Sequence, residues 1–186
     1  MAHQTQIDYC LGVKQRFPQY FNNIRVVDFG SLDINGCNRY LFTDCEYLGL
    51  DIGPGKNVDL VCRAHEFDRA DYSYDVVIST EMFEHDKYLT LSVRNMIRVL
   101  KPGGLFLFTC AGPDRAEHGT RRTSPADSPL TTGIQDWEDY YENVTEQRIR
   151  EIIPVDTIFS DYEFRLAPGW GKPAADLQFY GIKKIT

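Results

Sequence analysis

The chain has 186 residues, enough for one folded domain with a sizeable core, and its 42% hydrophobic and 25% charged residues are those of an ordinary globular protein. No stretch reaches the roughly 20 apolar residues of a membrane helix, and the start, Met1-Ala2-His3-Gln4-Thr5-Gln6, has neither the basic end nor the apolar core of a secretory signal, so a cytoplasmic protein is expected. A net charge of −7 disfavours general binding to a phosphate backbone, which needs clustered Lys and Arg.

In chain order, Ile7, Cys10, Leu11, Phe17 and Phe21 recur at near-helical spacing and predict an N-terminal helix within residues 1–23, ended or kinked at Pro18. Residues 24–30, a β-branched run closed by Gly30, predict a buried strand opening into a loop. Further strands are predicted at 47–52, 58–62, 74–80 and 105–110, each short and nearly continuous in apolar character, as parallel strands covered on both faces are. Leu89, Val93, Met96, Ile97 and Leu100 mark a helix between the last two, stopped by the Lys101-Pro102-Gly103-Gly104 turn. Residues 111–133 are rich in Gly, Pro, Ser, Thr, Asp and Arg and read as a long loop or lid. A second helix is expected at 145–153, with Ile149, Ile152 and Ile153 inward, and two closing strands at 155–166 and 177–182. Together these predict one α/β domain over 1–186, a doubly wound, mostly parallel, seven-stranded Rossmann-like sheet with an antiparallel C-terminal edge.

In an open parallel sheet, ligands sit beyond the carboxyl ends of the strands. The first strand ends in Asp28-Phe29-Gly30, where a glycine lets backbone approach a ligand closely. The second ends in Gly49-Leu50-Asp51-Ile52, and Asp51 is placed to accept hydrogen bonds from both hydroxyls of a ribose. The fourth, Tyr74-Asp75-Val76-Val77-Ile78-Ser79-Thr80, runs into Glu81-Met82-Phe83-Glu84-His85, and Leu100-Lys101-Pro102-Gly103-Gly104 precedes the fifth. With these pieces in this order, the chain resembles a class I S-adenosylmethionine-dependent methyltransferase of the small stand-alone type, by motif over about residues 24–112. The resemblance implies that Asp28 and Gly30 border the methionine portion of the cofactor, Asp51 the ribose, Ile52 and Ala64-His65 the adenine, and Glu81-Met82 the cleft floor. The chain departs from the usual GxGxG loop, keeping Gly30 and a displaced Gly36, with Ser31 and Asn35 as polar substitutes; Arg63 also stands where an acid often precedes Ala64.

Rival nucleotide motifs fail on spacing. The stretch 49–57 ends in Lys56-Asn57 and is no phosphate loop, and the segment after Gly30 lacks the second glycine and long helix of a nicotinamide fingerprint. Methyl transfer from a sulfonium needs positioning and, for an acidic nucleophile, a base; His85 and His118 are the candidates. Without an Asn-Pro-Pro-Tyr or Pro-Cys signature, the expected acceptor is a small molecule, such as a sugar or secondary metabolite, methylated on oxygen or nitrogen. Arg121 and Arg122 would bind its acidic group, with Trp137, Tyr140 and Tyr141 as a wall. The alternatives are a non-catalytic cofactor-binding protein, a partner-dependent subunit or an oligomer, and an RNA methyltransferase. Cys10, Cys37, Cys45, Cys62 and Cys110 are dispersed without a CxxC pair, so no metal centre is expected and the thiols read as reduced and mostly buried.

Overall fold

The computed structural model describes residues 3–185. In chain order these form α1 (Gln4–Arg16), β1 (Arg25–Phe29), β2 (Glu46–Asp51), β3 (Leu60–Val61), β4 (Tyr74–Thr80), α2 (Leu89–Val99), β5 (Leu100–Ala111), α3 (Glu146–Ile152), α4 (Val155–Ile158), β6 (Phe159–Gly169) and β7 (Lys172–Lys183). The strands make one sheet of order β3-β2-β1-β4-β5-β7-β6, parallel from β3 to β5 and antiparallel across β7 and β6. This is the Rossmann-like α/β sheet expected of the sequence, with β6 as its antiparallel edge.

Strand residues alternate between two apolar layers. Val26, Val76, Ile78, Leu105 and Leu107 face one way and meet Tyr9, Cys10 and Val13 of α1. Val27, Val77, Phe106, Phe108 and Phe179 face the other way, against Val93 and Met96 of α2 and Ile149 and Ile152 of α3. The central strands are therefore covered on both faces, which is why their sequences run apolar without alternation. The crossovers from β1 through β4 contain only single 3-10 turns, at Arg39–Leu41 and Ala64–Glu66.

Several local expectations are corrected. α1 stops at Arg16 because Phe17 precedes a proline and leaves the helical region, at φ −132° and ψ 59°; its inward face is Gln6, Tyr9, Cys10 and Val13, and Leu11 is exposed. The strand expected at 58–62 shortens to Leu60–Val61. The Lys101–Gly104 stretch lies inside β5 rather than before it: Tyr74 pairs with Leu100 and Val76 with Leu105, so residues 101–104 bulge opposite Asp75. Pro102 has no N–H for the ladder and Gly103 takes φ +75°, which together make a bulge the low-energy solution. Val155–Ile158 is a helical turn following Pro154, not the start of a strand. Only Cys10 and Cys110 are buried; Cys37, Cys45 and Cys62 are partly exposed, and all five are free. No helix among the described residues is long and apolar enough to cross a membrane.

Candidate active site

The chain winds outward from β1 to β3 and then returns to place β4 beside β1, so the carboxyl ends of β1 and β4 part around a crevice at the switch point of the sheet. The cleft found there has about 930 Å³ of free space, its open mouth included. Of the residues singled out from sequence, Asp28, Gly30, Ser31, Asn35, Asp51, Ile52, Ala64, Glu81, Met82 and His85 line it.

Asp51 ends β2 with both carboxylate oxygens engaged by backbone, Oδ2 accepting from Leu32 N at 3.0 Å and Oδ1 from Ile52 N at 2.7 Å. The same carboxylate thus shapes the loop after β1 and keeps further lone pairs for a ligand. Burial raises its pKa, and the two amide N–H groups offset part of that rise. The loop itself is tied down by Gly30 N and Ser31 N donating to Leu50 O, by Asn57 Nδ2 donating to Ser31 O, and by a 2.7 Å ion pair between Lys56 and Asp33. These side-chain ties replace the helix that a glycine-rich loop would ordinarily open. Gly30 has φ +82°, and a Cβ there would lie 2.6 Å from Met82 Cβ, so β1 and β4 approach across a gap that only glycine fits.

Asp28 is buried at the end of β1 and accepts from Tyr47 Oη and, at 3.3 Å, from Asn38 Nδ2. Asn38 in turn accepts from Gln6 Nε2 at 3.2 Å, so a polar relay runs from α1 to the cleft. Sequence reasoning passed over Gln6 and Asn38, although Gln6 is the one polar residue on the inward face of α1. Burial pushes the Asp28 pKa up to about 6, against the pull of Tyr47 and Asn38. The folded protein therefore holds a proton there that the unfolded chain releases above its ordinary value near 3.8. This group's contribution is neutral below pH 4 and destabilises the fold increasingly as pH rises to about 6, then levels off. Asp28→Asn without cofactor is expected to leave stability unchanged at pH 4 and to raise it by about 2 to 3 kcal/mol at pH 8, at roughly 1.4 kcal/mol per unit. Urea unfolding at both pH values checks this, and equal effects at the two would contradict it.

Glu81 takes φ +55°, a strained conformation for a non-glycine residue. Its carboxylate accepts from Thr109 Oγ1 at 2.8 Å and faces His3 at 3.4 Å and Arg115 at 3.8 Å. Burial would raise its pKa, but His3 and Arg115 hold it below the usual carboxylate range. Arg115 also pairs with Asp176 of β7 at 2.6 Å, so the N-terminal segment, the loop after β5 and the antiparallel edge meet under the cleft.

The long segment after β5 has no regular structure beyond one turn at Pro125–Asp127, and it stays irregular past residue 133, as far as α3. Asp127, Ser128, Pro129, Leu130 and Thr131 line the cleft, and Trp137 joins them beside Arg63, whose guanidinium lies 5.8 Å from the indole. Arg121 and Arg122 do not line it. Arg121 pairs with Asp139 at 2.7 Å and Glu138 at 3.5 Å, and Arg122 pairs with Glu117 at 3.0 Å, so both guanidinium groups staple the segment to itself. Tyr140 Oη donates to Glu142 and Tyr141 Oη to Ala116 O, outside the cleft lining. His65 also lies outside the lining, its ring centroid 4.3 Å from that of Tyr88 and tilted by 40°.

His85 reaches the cleft, whereas His118 packs behind it, their ring centroids 5.1 Å apart and nearly perpendicular. Burial, reinforced by His118, lowers the His85 pKa to about 3, and burial lowers that of His118. Both imidazoles are thus neutral at physiological pH. Glu84 faces His118 at 3.9 Å and is fully buried, with burial and the charge of Glu81 raising its pKa.

The family model described as a methyltransferase domain matches residues 40–108. No curated protein matches the chain. Among solved structures, 1,6-didemethyltoxoflavin-N1-methyltransferase of Burkholderia thailandensis, with bound 1,6-didemethyltoxoflavin and S-adenosylhomocysteine, is similar at 13% identity and TM-score 0.66 over 97% of this chain and 78% of that one. Phosphoethanolamine N-methyltransferase 2 of Haemonchus contortus, in complex with S-adenosyl-L-methionine, is similar at 17% identity and TM-score 0.63 over 96% of this chain. The CurJ carbon methyltransferase is similar at 13% identity and TM-score 0.61 over 97% of this chain. This chain spans only 53% and 54% of those last two, and at such identities the likeness carries the fold. The chain thus carries a segment, residues 40–108, that matches a methyltransferase-domain model, set in a sheet whose fold is that of these methyltransferases.

Proposed function

We propose that this enzyme transfers the methyl group of S-adenosylmethionine to an oxygen or nitrogen atom of a small molecule. The observation that carries the reading is the meeting of Asp51, Gly30 and Asp28 in one cleft at the switch point of the sheet. The Asp51 carboxylate would receive the ribose hydroxyls, and the Gly30 backbone would pass beside the methionine portion with Asp28 below it. Ser31 and Asn35 add polar contacts on the loop. Ile52, Ala64, Leu130 and Trp137 supply the apolar walls an adenine ring needs, while Glu81 and Met82 form the floor.

Methyl transfer is an in-line displacement in which the sulfonium leaves as a neutral thioether, so the protein mainly has to hold the two reactants in line. That positioning is worth roughly 7 to 11 kcal/mol in well-oriented cases. Of the two histidines only His85 lines the cleft, which supports it as the one that would meet the acceptor. Residues 111–133 act as a lid through Leu130 and Thr131, with Arg121 and Arg122 bracing it by ion pairs rather than binding the acceptor. A small acceptor suits both the net negative charge and the nitrogen acceptors that two of the similar enzymes are named for.

Thermal melts test the cofactor half. A ligand at about 100 times its Kd adds roughly 2.7 kcal/mol, or about 5 to 10 °C for a domain of this size. S-adenosylmethionine and S-adenosylhomocysteine are expected to give such a shift, and NAD and ATP none. Release of S-adenosylhomocysteine with hydroxylated or amino small molecules tests the other half. Release only with RNA, showing a strong salt dependence, would overturn the acceptor class.

A further inference from the structure

We infer that Glu84, His85 and His118 form a binding site for one divalent first-row transition-metal ion beneath the acceptor side of the cleft. The inference goes beyond methyl transfer and does not depend on it. One ligand atom from each of the three side chains lies within 4.8 Å of the others, and all three residues are buried. His118 Nε2 lies 3.9 Å from Glu84 Oε1.

The second observation is the state of Glu84. Both of its carboxylate oxygens are buried without a hydrogen-bond partner, and the residue is 0% exposed. Among the described residues no lysine or arginine lies within ion-pair distance of it, His118 being the group it faces. A buried carboxyl that keeps its proton still leaves its oxygens unmatched here, whereas a metal ion held by the neighbouring imidazoles would displace that proton and engage them.

The histidines are prepared in the same sense. His118 Nδ1 lies 3.1 Å from Ala116 O, a contact that holds the proton on Nδ1 and turns a bare Nε2 lone pair toward Glu84. Ligating histidines are ordinarily fixed in this manner by a carbonyl or carboxylate behind them. His85 Nδ1 is also buried and unpartnered. Gly119 lets the segment carrying His118 pack directly on His85: it takes φ +65°, and a Cβ there would lie 2.6 Å from His85 Cε1. Tyr141 covers both rings at 5.7 and 5.1 Å and donates to the same Ala116 carbonyl.

Two imidazoles and one carboxylate select zinc, iron(II), cobalt or manganese over magnesium and calcium, which prefer all-oxygen shells. Neighbouring ligands on an ion with bonds near 2.1 Å stand roughly 3.0 to 3.4 Å apart, so inward shifts of less than about 1 Å complete the site. Such a site leaves coordination positions open, and His85 links it to the cleft.

The test is calorimetric titration of the chelator-treated full chain with Zn²⁺, and with Co²⁺ under an absorption spectrometer. One Zn²⁺ per chain is expected to bind, with Glu84→Gln and His118→Gln each weakening it at least about 100-fold, and Co²⁺ is expected to show nitrogen and oxygen ligation alone. Three results would each overturn the site: no saturable binding by the natural chain, affinities unchanged in both variants, or a sulfur-to-cobalt charge-transfer band placing the ion on cysteine. The natural chain decides the matter even where a variant does not fold.

Discussion

Asp51→Ala is expected to weaken S-adenosylmethionine binding by about 100- to 10,000-fold, the sum of two charge-assisted hydrogen bonds at roughly 1.5 to 3 kcal/mol each. The size of the effect follows from the double duty of this carboxylate. Besides the ribose it would receive, it accepts Leu32 N and Ile52 N, so its removal also frees the loop that carries Gly30 and Ser31. Asp51→Asn separates the two roles. Its amide oxygen can still take the Leu32 amide and keep the loop in place, but it gives up the negative charge, so an intermediate loss of about 10- to 100-fold is expected. Calorimetry on natural and variant chains reads both, with melting temperatures reporting whether the fold survives. A Kd for Asp51→Ala within about threefold of the natural value would remove Asp51 from the cofactor site.

Gly30→Ala is expected to cost about 3 kcal/mol of stability and to abolish measurable cofactor binding. Two terms add. A left-handed backbone costs a residue with a Cβ about 1 to 2 kcal/mol, and forcing a methyl group into a filled space costs a further 1 to 3 kcal/mol. The new Cβ would meet Met82 Cβ at 2.6 Å, and that atom sits next to the backbone of the strained Glu81, so it has little room to retreat. Relief must come from the gap between β1 and β4, which is the gap the cofactor would enter. Urea unfolding and calorimetry measure the two consequences separately. A variant of natural stability that still binds S-adenosylmethionine would show the close approach to be unimportant.

Much of this was legible in the sequence, for identifiable reasons. The apolar strands at 24–30, 47–52 and 74–80 announced burial on both faces because that is a local property of side chains. The residues at their carboxyl ends, Asp28, Gly30, Asp51, Glu81 and Met82, could be grouped because parallel topology sends all such ends to one rim. The errors were local as well. Pro102 and Gly103 read as a turn, and Val155–Ile158 as strand, because proline, glycine and β-branched residues serve bulges and helical turns equally well.

What the sequence by itself determined is the class of fold and the rim on which its chemistry sits, since hydropathy pattern and strand-end residues act over a few positions. Only the tertiary structure decided which side chains from distant segments share a space. It brought Leu130 and Trp137 to the cleft, spent Arg121 and Arg122 on Glu117, Glu138 and Asp139, and left Glu84 buried and unpartnered beside His118. Those outcomes depend on how an irregular segment of more than thirty residues folds back over the sheet. No periodicity records that path, because its contacts are single hydrogen bonds and ion pairs rather than a repeating face.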